Sequence, residues 1–402
     1  MKVAVVGSGI SGLGAAYLLA RAHDVQIFEQ DSRAGGHTRT VRHAGLGLDM
    51  GFLVHNEHNY PLLGRLFREL GVASQESEMS FSVSCPCGLE YSGRRPFAQP
   101  GRSLDRRHLR LLWEIGRWLR TARSSLEELD CEQWSLERYL DERRFSERFR
   151  RHFLVPLTAA LWSTAPGRAL EYPAASAIRF FDNHGMLGFG RFRWRSLRGG
   201  NDAYVQKIAE TLGDRLHLGS GARSIRRFAD RVELSTADGE RTSFDAVVIA
   251  VHADQALGLL EDPSEAELRA LGAIRYTRNE TTLHTDSSRL PATRAARAAW
   301  NYRLGDDGQP TVTYYLNRLQ RLESETDWCV TLNGEIPAEH VVERTTFDHP
   351  LFTTDTVAAQ SELRQLSGAR RTWYAGAYLG NGFHEDGLAS GVAAAEALGA
   401  HW

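Results

Sequence analysis

Lysine is nearly missing from this chain of 402 residues: of 48 basic side chains only Lys2 and Lys207 are lysines. Any chemistry that needs a lysine must use one of those two. Cysteine is also scarce. Cys85, Cys87, Cys131 and Cys329 form no Cys-x-x-Cys pair, which excludes a disulfide-rich framework, argues against zinc and makes a reducing cytoplasm the expected setting. The formal net charge is only -2, so nothing global demands nucleic acid or a membrane. No uninterrupted apolar run approaches the roughly 20 residues that span a bilayer. The apolar start of the chain reads as structure rather than a signal peptide, because its glycines fall at motif spacing and no small-residue cleavage site follows. What remains, 42% hydrophobic and 24% charged residues, suits an enzyme-sized globular protein of two connected domains.

The strongest pattern is "KVAVVGSGISGLGAAYLLARAHDVQIFEQ", residues 2 to 30. A β-branched run, a glycine turn, an alanine-rich helix and a second short strand follow one another. Gly7, Gly9 and Gly12 make GxGxxG, with Ser11 in the same turn. Gly7 permits the tight turn, Gly9 lets backbone approach a pyrophosphate, and Gly12 allows close packing of helix on strand. The helix N-terminus adds partial positive charge. Glu29, at the end of the second strand with Gln30 beside it, would accept ribose hydroxyls. The motif predicts a doubly wound α/β dinucleotide domain, and spacing alone does not choose the dinucleotide.

"RAGGHTRT" (33–40) and "LDMGFLVHN" (48–56) extend the pattern. Together with the first unit they resemble the flavin amine oxidase superfamily, which includes monoamine oxidases, protoporphyrinogen oxidase and phytoene desaturases. The resemblance implies a Rossmann-like, GR2-type FAD domain of p-hydroxybenzoate-hydroxylase-like topology, with an interposed helix-rich α+β substrate domain. It also implies non-covalent FAD. Glu29, Gly35, Gly36, Asp49 and Gly51 match the family pattern; Arg33, His37, Thr38 and Phe52 are the neighbours it would place along the cofactor. His37 stands where the family usually has arginine, and Arg33 is the compensating cation. Residues 196–253 look like the returning half of the domain, with a hairpin turning at Asp238-Gly239, a buried strand over 246–251, and backbone at Ala222 and Arg223 along the adenine.

"TWYAGAYLGNGFHEDGLASGVAAAEAL" (372–398) resembles the closing strand and helix. There the resemblance puts Gly376 and Gly382 against the isoalloxazine, Phe383 toward substrate and the His384 backbone at the flavin. A helix from near Asp386 would aim its N–H groups at flavin N1 and C2=O. Glu385 matches the family's acid, whereas Ala377 replaces the acid usual after "YAG". His384, Glu385 and Asp386 as a metal site is rejected, since three consecutive side chains cannot converge and no cluster at ligand spacing accompanies them. No metal is expected. "GFGRFR" (188–193) and "GSGARS" (219–224) lack the third glycine and the helix of a second nucleotide motif. Reoxidation by oxygen, a quinone or another carrier is therefore expected, which favours an oxidase or dehydrogenase. Cys329 lies outside the closing motif, against covalent flavin attachment.

The implied FAD domain comprises residues 1–54, 196–265 and 365–402, and the substrate domain 55–195 and 266–364. Residues 55–190 read as mainly helical and 270–350 as short strands. Between 94 and 123 nine arginines face Asp105 and Glu114, and Arg106, Arg110, Arg117 and Arg120 share helical spacing with Trp113. Two readings stay open: a helix resting on an anionic membrane, and an ordinary solvated face. Nucleic acid is not expected as a partner, and oligomeric state is not indicated.

"FLVPLTAALWSTAP", "FFDNHGML", "YLNRLQ" and "GFHEDG" also resemble a bacterial subgroup of predicted NAD/FAD-binding proteins encoded near cyclopropane-fatty-acid-synthase-like enzymes. That implies oxidation, including desaturation, of an apolar substrate such as a phospholipid acyl chain in lipid metabolism. The family's amine oxidases use a lysine near flavin N5, and neither lysine here falls in a suitable segment. His184, His384 and Glu385 are candidates for a base, each with a scaffold role as the alternative. Asn183, Trp162, Trp194, Tyr314 and Tyr315 are candidate pocket walls. A polyamine or natural-product amine oxidase and a non-catalytic flavin redox sensor are the competing functions.

Overall fold

The computed structural model describes residues 1–127, 134–164, 166–188, 192–305 and 310–402. Cys131 and residues 189–191 of "GFGRFR" lie outside them. Five strands form a wholly parallel sheet in the order Leu216–His217, Asp24–Phe28, Lys2–Val6, Ala246–Ile249, Thr372–Tyr374. Val3, Ala4, Val5 and Val6 are all buried, as in a sheet covered on both faces. One face carries the helices Ile10–Leu19, Ala203–Leu212 and His384–Ala397. On the other lie an antiparallel meander (Ala222–Arg227, Val232–Thr236, Arg241–Phe244) and the helices Ala253–Leu259, Glu265–Gly272 and Thr354–Leu366. Arg227 and Glu267, both buried, join the meander to the helix Glu265–Gly272 through two hydrogen bonds, and Tyr374 donates to Glu267 at 2.6 Å.

The helix Ile10–Leu19 touches the helix His384–Ala397 along its length because glycines let backbones meet. A Cβ on Gly391 would overlap the Ser11 carbonyl oxygen, and one on Gly14 would overlap the Leu388 side chain. This contact fixes the two chain ends on which the cofactor motifs sit.

A seven-stranded sheet, ordered Val341–Pro350, Tyr276–His284, Cys329–Leu332, Pro310–Tyr315, Trp300–Leu304, Phe81–Ser84, Glu90–Ser92, makes the second layer. It packs on helices around Trp118, Phe149 and Phe181 in a separate core. The expected helical stretch 55–190 thus contains strands. "FSVS" and "LEYS" alternate apolar and polar residues about a glycine turn, and Phe81–Ser84 pairs in parallel with Trp300–Leu304, a partner no local pattern reveals. Among the described residues no helix is long and apolar enough to cross a membrane.

Candidate active site

One cavity of about 1030 Å³ runs from the ends of the parallel strands to the underside of the seven-stranded sheet. At its nucleotide end Gly7 has φ +97°, and a side chain there would meet Val251 and the Ala250 carbonyl. Nothing lies within 4 Å of a Cβ built on Gly9, which opens backbone to the cavity. The helix beginning at Ile10 has no side-chain cap, so its first N–H groups are free for an anion. Glu29 accepts from the Ser8 N–H at 2.9 Å, the Ser8 hydroxyl at 2.6 Å and the Asp31 N–H at 2.9 Å. Three donors hold its carboxylate at the strand end, beside Gln30 in the cavity wall.

Next comes the glycine pair, with φ +112° at Gly35 and +54° at Gly36. Arg33 donates to the carbonyls of Thr38 at 3.2 Å and Gly36 at 2.9 Å, bracing this loop. His37 is partly buried and donates from Nε2 to the Asp348 carbonyl at 3.1 Å. Burial and the nearby rings of His349 and His252 hold its pKa well below the usual range, so it is a neutral donor where the family has a cation. At the far end of the loop His384 Nε2 meets the Thr38 hydroxyl at 2.8 Å, and its ring stacks on Phe52 at 3.9 Å. Burial lowers the His384 pKa to about 3.

Beyond this, Gly376 and Gly382 bound the cavity, and Gly382 has φ +90° with Phe352 packed where a Cβ would be. The closing helix starts at His384, two residues before the expected point, with Asp386 accepting from the Phe383 N–H at 2.9 Å. A chamber follows, walled by Met79, Leu161, Phe180, Met186, Trp194, Trp300, Tyr314 and Phe383. His184 is its imidazole. Its Nδ1 faces the Phe180 carbonyl at 2.9 Å, which can only accept, so Nδ1 carries the proton and Nε2 is a free lone pair. Its ring stacks on Phe180 at 3.8 Å, and burial lowers its pKa to about 4. The carboxylates in the cavity wall, Glu29, Asp31 and Asp348, lie at the strand end and beside His37, not in the chamber.

Of the residues anticipated from sequence, the cavity wall includes Gly7, Gly9, Ser11, Glu29, Gln30, Arg33, Gly35, Gly36, His37, Gly51, Phe52, Ala222, Gly376, Gly382, Phe383, His384 and His184. Gly12 packs helix on strand as expected, whereas Thr38, Arg223 and Glu385 are not part of the wall. Thr38 ties the loop to His384 behind the wall. Arg223 is exposed, and Gly221 with Ala222 supplies the wall there. Glu385 accepts from the N–H groups of Leu62 at 2.7 Å and Leu63 at 3.0 Å, capping the helix Pro61–Glu69, so it is a brace rather than a base facing the cavity. Trp162, Asn183 and Tyr315 also stand outside the wall, and Cys329 is buried within a strand. Sequence reasoning missed His252, His349, Tyr276, Arg39, Met79, Met186 and Trp300. His252 alone carried a signal, following the strand Ala246–Ile249 at the sheet edge where such folds bind ligands.

Open helix N-terminus, glycine cradle and strand-end carboxylate fit a dinucleotide, and the positive-φ glycine beside an apolar chamber fits a flat ring. Comparisons with known proteins agree. Residues 10–284 match the family model for flavin containing amine oxidoreductase. Among characterised relatives, protoporphyrinogen oxidase 2 of Arabidopsis thaliana is 43% identical over 76 residues, 19% of this chain and 15% of that one. The 4,4'-diapophytoene desaturase of Staphylococcus aureus is 42% identical over 52 residues, 13% of this chain and 10% of the relative, so both matches span a minor part of those proteins. Among solved structures, a CLA-producing fatty acid isomerase from P. acnes superposes with a TM-score of 0.72 at 16% identity, covering 99% of this chain and 97% of the other. A putrescine oxidase superposes with a TM-score of 0.71 at 14% identity, covering 100% of both. With its family match extending over more than half its length, this chain belongs to the flavin containing amine oxidoreductase family.

Proposed function

We propose that the chain dehydrogenates an apolar substrate, and that this substrate is a lipid acyl chain. The observation that carries the reading is the chamber itself, whose walls hold aromatic and thioether side chains and His184 but neither a carboxylate nor a lysine. A putrescine-like dication there would be desolvated without a counter-charge, at a cost of several kcal/mol. An acyl chain has no such charge to desolvate. Structural likeness does not separate the two, since the fatty acid isomerase and the putrescine oxidase superpose equally well. Lys2 starts a strand of the parallel sheet and Lys207 pairs with Glu210 on the exposed side of its helix, so neither serves the chamber.

Bound along the cavity, FAD supplies a two-electron hydride acceptor. Phe383, Phe180 and Trp194 hold the chain and keep water from it, and Nε2 of neutral His184 receives the proton released from the carbon next to the one oxidised. Substrate on a bilayer also suits the helix Arg106–Thr121 and the turn before it, where Leu104 (85%) and Trp113 (58%) are exposed near Arg106, Arg107 and Arg110.

The test is turnover of the holoenzyme with phospholipids of defined acyl composition, and separately with putrescine and cyclohexylamine, followed by mass spectrometry of the products. Acyl chains lighter by two hydrogens support the reading. An aldehyde from putrescine or a ketone from cyclohexylamine, with unchanged lipids, would replace it with amine oxidation, and no product from either would favour a redox sensor.

A further inference from the structure

The hairpin between Phe81–Ser84 and Glu90–Ser92 turns through Cys85, Pro86, Cys87 and Gly88, far along the seven-stranded sheet from the nucleotide motifs. The turn is tightly specified. Gly88 donates to the Cys85 carbonyl at 2.9 Å, Cys85 donates to the Leu89 carbonyl at 2.9 Å, and Gly88 has φ +80°. In this geometry the Cys87 N–H points at Cys85 Sγ, 3.3 Å away. A backbone N–H aimed at sulfur stabilises charge on that sulfur, as donors around metal thiolates do.

Opposite the turn stands His152, in the π-helical turn Arg150–Leu154. Its Nδ1 donates to the Arg148 carbonyl at 3.1 Å, so Nε2 carries a lone pair, and that lone pair faces Cys87 Sγ at 3.5 Å. Tyr91, on the hairpin's second strand, donates to the His152 carbonyl at 2.6 Å and fixes the backbone. Cys85 Sγ, Cys87 Sγ and a His152 ring nitrogen all lie within 4.8 Å of one another. Tetrahedral zinc with bonds of about 2.3 Å to sulfur and about 2.0 Å to nitrogen needs ligand atoms separated by about 3.5–3.8 Å. The present spacing closes to that by side-chain rotation. Cys85 and His152 are buried while Cys87 is exposed, which leaves a fourth position open to water.

We propose that Cys85, Cys87 and His152 bind one zinc ion through two thiolates and an imidazole, with water as the fourth ligand. Two thiol protons leave as the metal binds. The ion clips the hairpin to the π-helical turn that leads into the helix Val155–Trp162, whose Leu161 and neighbouring Ser163 line the cavity. It acts as a structural clasp behind the chamber, apart from the flavin chemistry. Sequence alone argued against zinc because it shows no Cys-x-x-Cys pair; the third ligand arrives from 65 residues away.

The holoenzyme is loaded with zinc, dialysed against metal-free buffer and examined by elemental analysis and zinc-edge X-ray absorption, with Cys87→Ser and His152→Gln in parallel. Expected are about one zinc per chain with two sulfurs and one imidazole, and retention lowered about tenfold or more in Cys87→Ser while its flavin spectrum is kept. A zinc shell of light atoms only, undiminished retention by Cys87→Ser, wild-type protein that retains no zinc, or a mass showing a Cys85–Cys87 disulfide would each overturn the site. The absorption measurement needs no variant, so failure of either variant to fold leaves the proposal decided by the wild type.

Discussion

At the residue scale, the glycines whose φ is positive or whose backbone is crowded were legible in the sequence because only glycine satisfies those positions. Gly382 is the sharpest case: a side chain would meet Phe352 at 2.9 Å and hold φ +90° against its preference, together on the order of 1–3 kcal/mol. Gly382→Ala is expected to stay folded by circular dichroism and to retain flavin about tenfold less well, read from the ratio of flavin to protein absorbance. His184 was legible only as a histidine among glycine and asparagine; its role follows from Phe180 taking Nδ1–H. His184→Gln is expected to lower kcat on the acyl substrate by about 10²–10⁴. Because its pKa is held down to about 4, the wild-type rate should stay level from pH 5 to 8, and a limb near pH 6.5 would count against His184 as the base. Glu385 could not be read from sequence, since the N–H groups it caps lie 323 and 322 positions away.

At the element scale, the strand-turn-helix units around residues 2–30 and 372–398 announce themselves by local pattern, whereas sheet partners do not. "FSVS" lay unrecognised inside a stretch dominated by helices because its partner is the distant strand Trp300–Leu304. The helix Arg106–Thr121 was legible as amphipathic, but its packing was not. Arg117, expected on the solvent face, lies over Phe145 at 4.0 Å and donates to the Arg144 carbonyl, which leaves Arg106, Arg107, Arg110 and Arg120 exposed along with Leu104, Leu109 and Trp113. Binding to vesicles rich in anionic phospholipid, followed by co-sedimentation, is expected to weaken with salt and to fall several-fold in Trp113→Ala. Equal binding to neutral vesicles would leave the helix an ordinary solvated face. The pair Arg227–Glu267 fastens the meander to its helix with both side chains out of water. Glu267→Gln leaves the buried guanidinium with Asp262 as its remaining charge partner and should cost about 1–3 kcal/mol in denaturant unfolding.

At the scale of the whole molecule, the doubly wound α/β fold was readable because nucleotide motifs demand one arrangement of strand, turn and helix, and its GR2 type followed from the family resemblance. The chamber was not, because its walls come from segments with no shared pattern: Met79, Leu161, Phe180, Trp300 and Tyr314 converge only in three dimensions. Global stability carries a signature of buried histidines. Burial lowers the pKa values of His55 and His284 to about 4, and His284 accepts from the Asp286 N–H, so both are neutral in the folded chain. The unfolded chain protonates them near pH 6.5, binds more protons between about pH 6.5 and 4, and gains on the folded state as pH falls through that window. Each contributes up to about 1.4 kcal/mol per pH unit, so the unfolding temperature should drop steadily from pH 7 to 5 at constant ionic strength.

The measurement that bears most directly on the central claim is an anaerobic titration of the flavin-loaded protein, followed by absorbance, with phospholipid vesicles in one cell and putrescine and cyclohexylamine in another. An apolar chamber without a carboxylate predicts stoichiometric loss of the oxidised flavin band with phospholipid and none with the amines. Bleaching by the amines alone would contradict it.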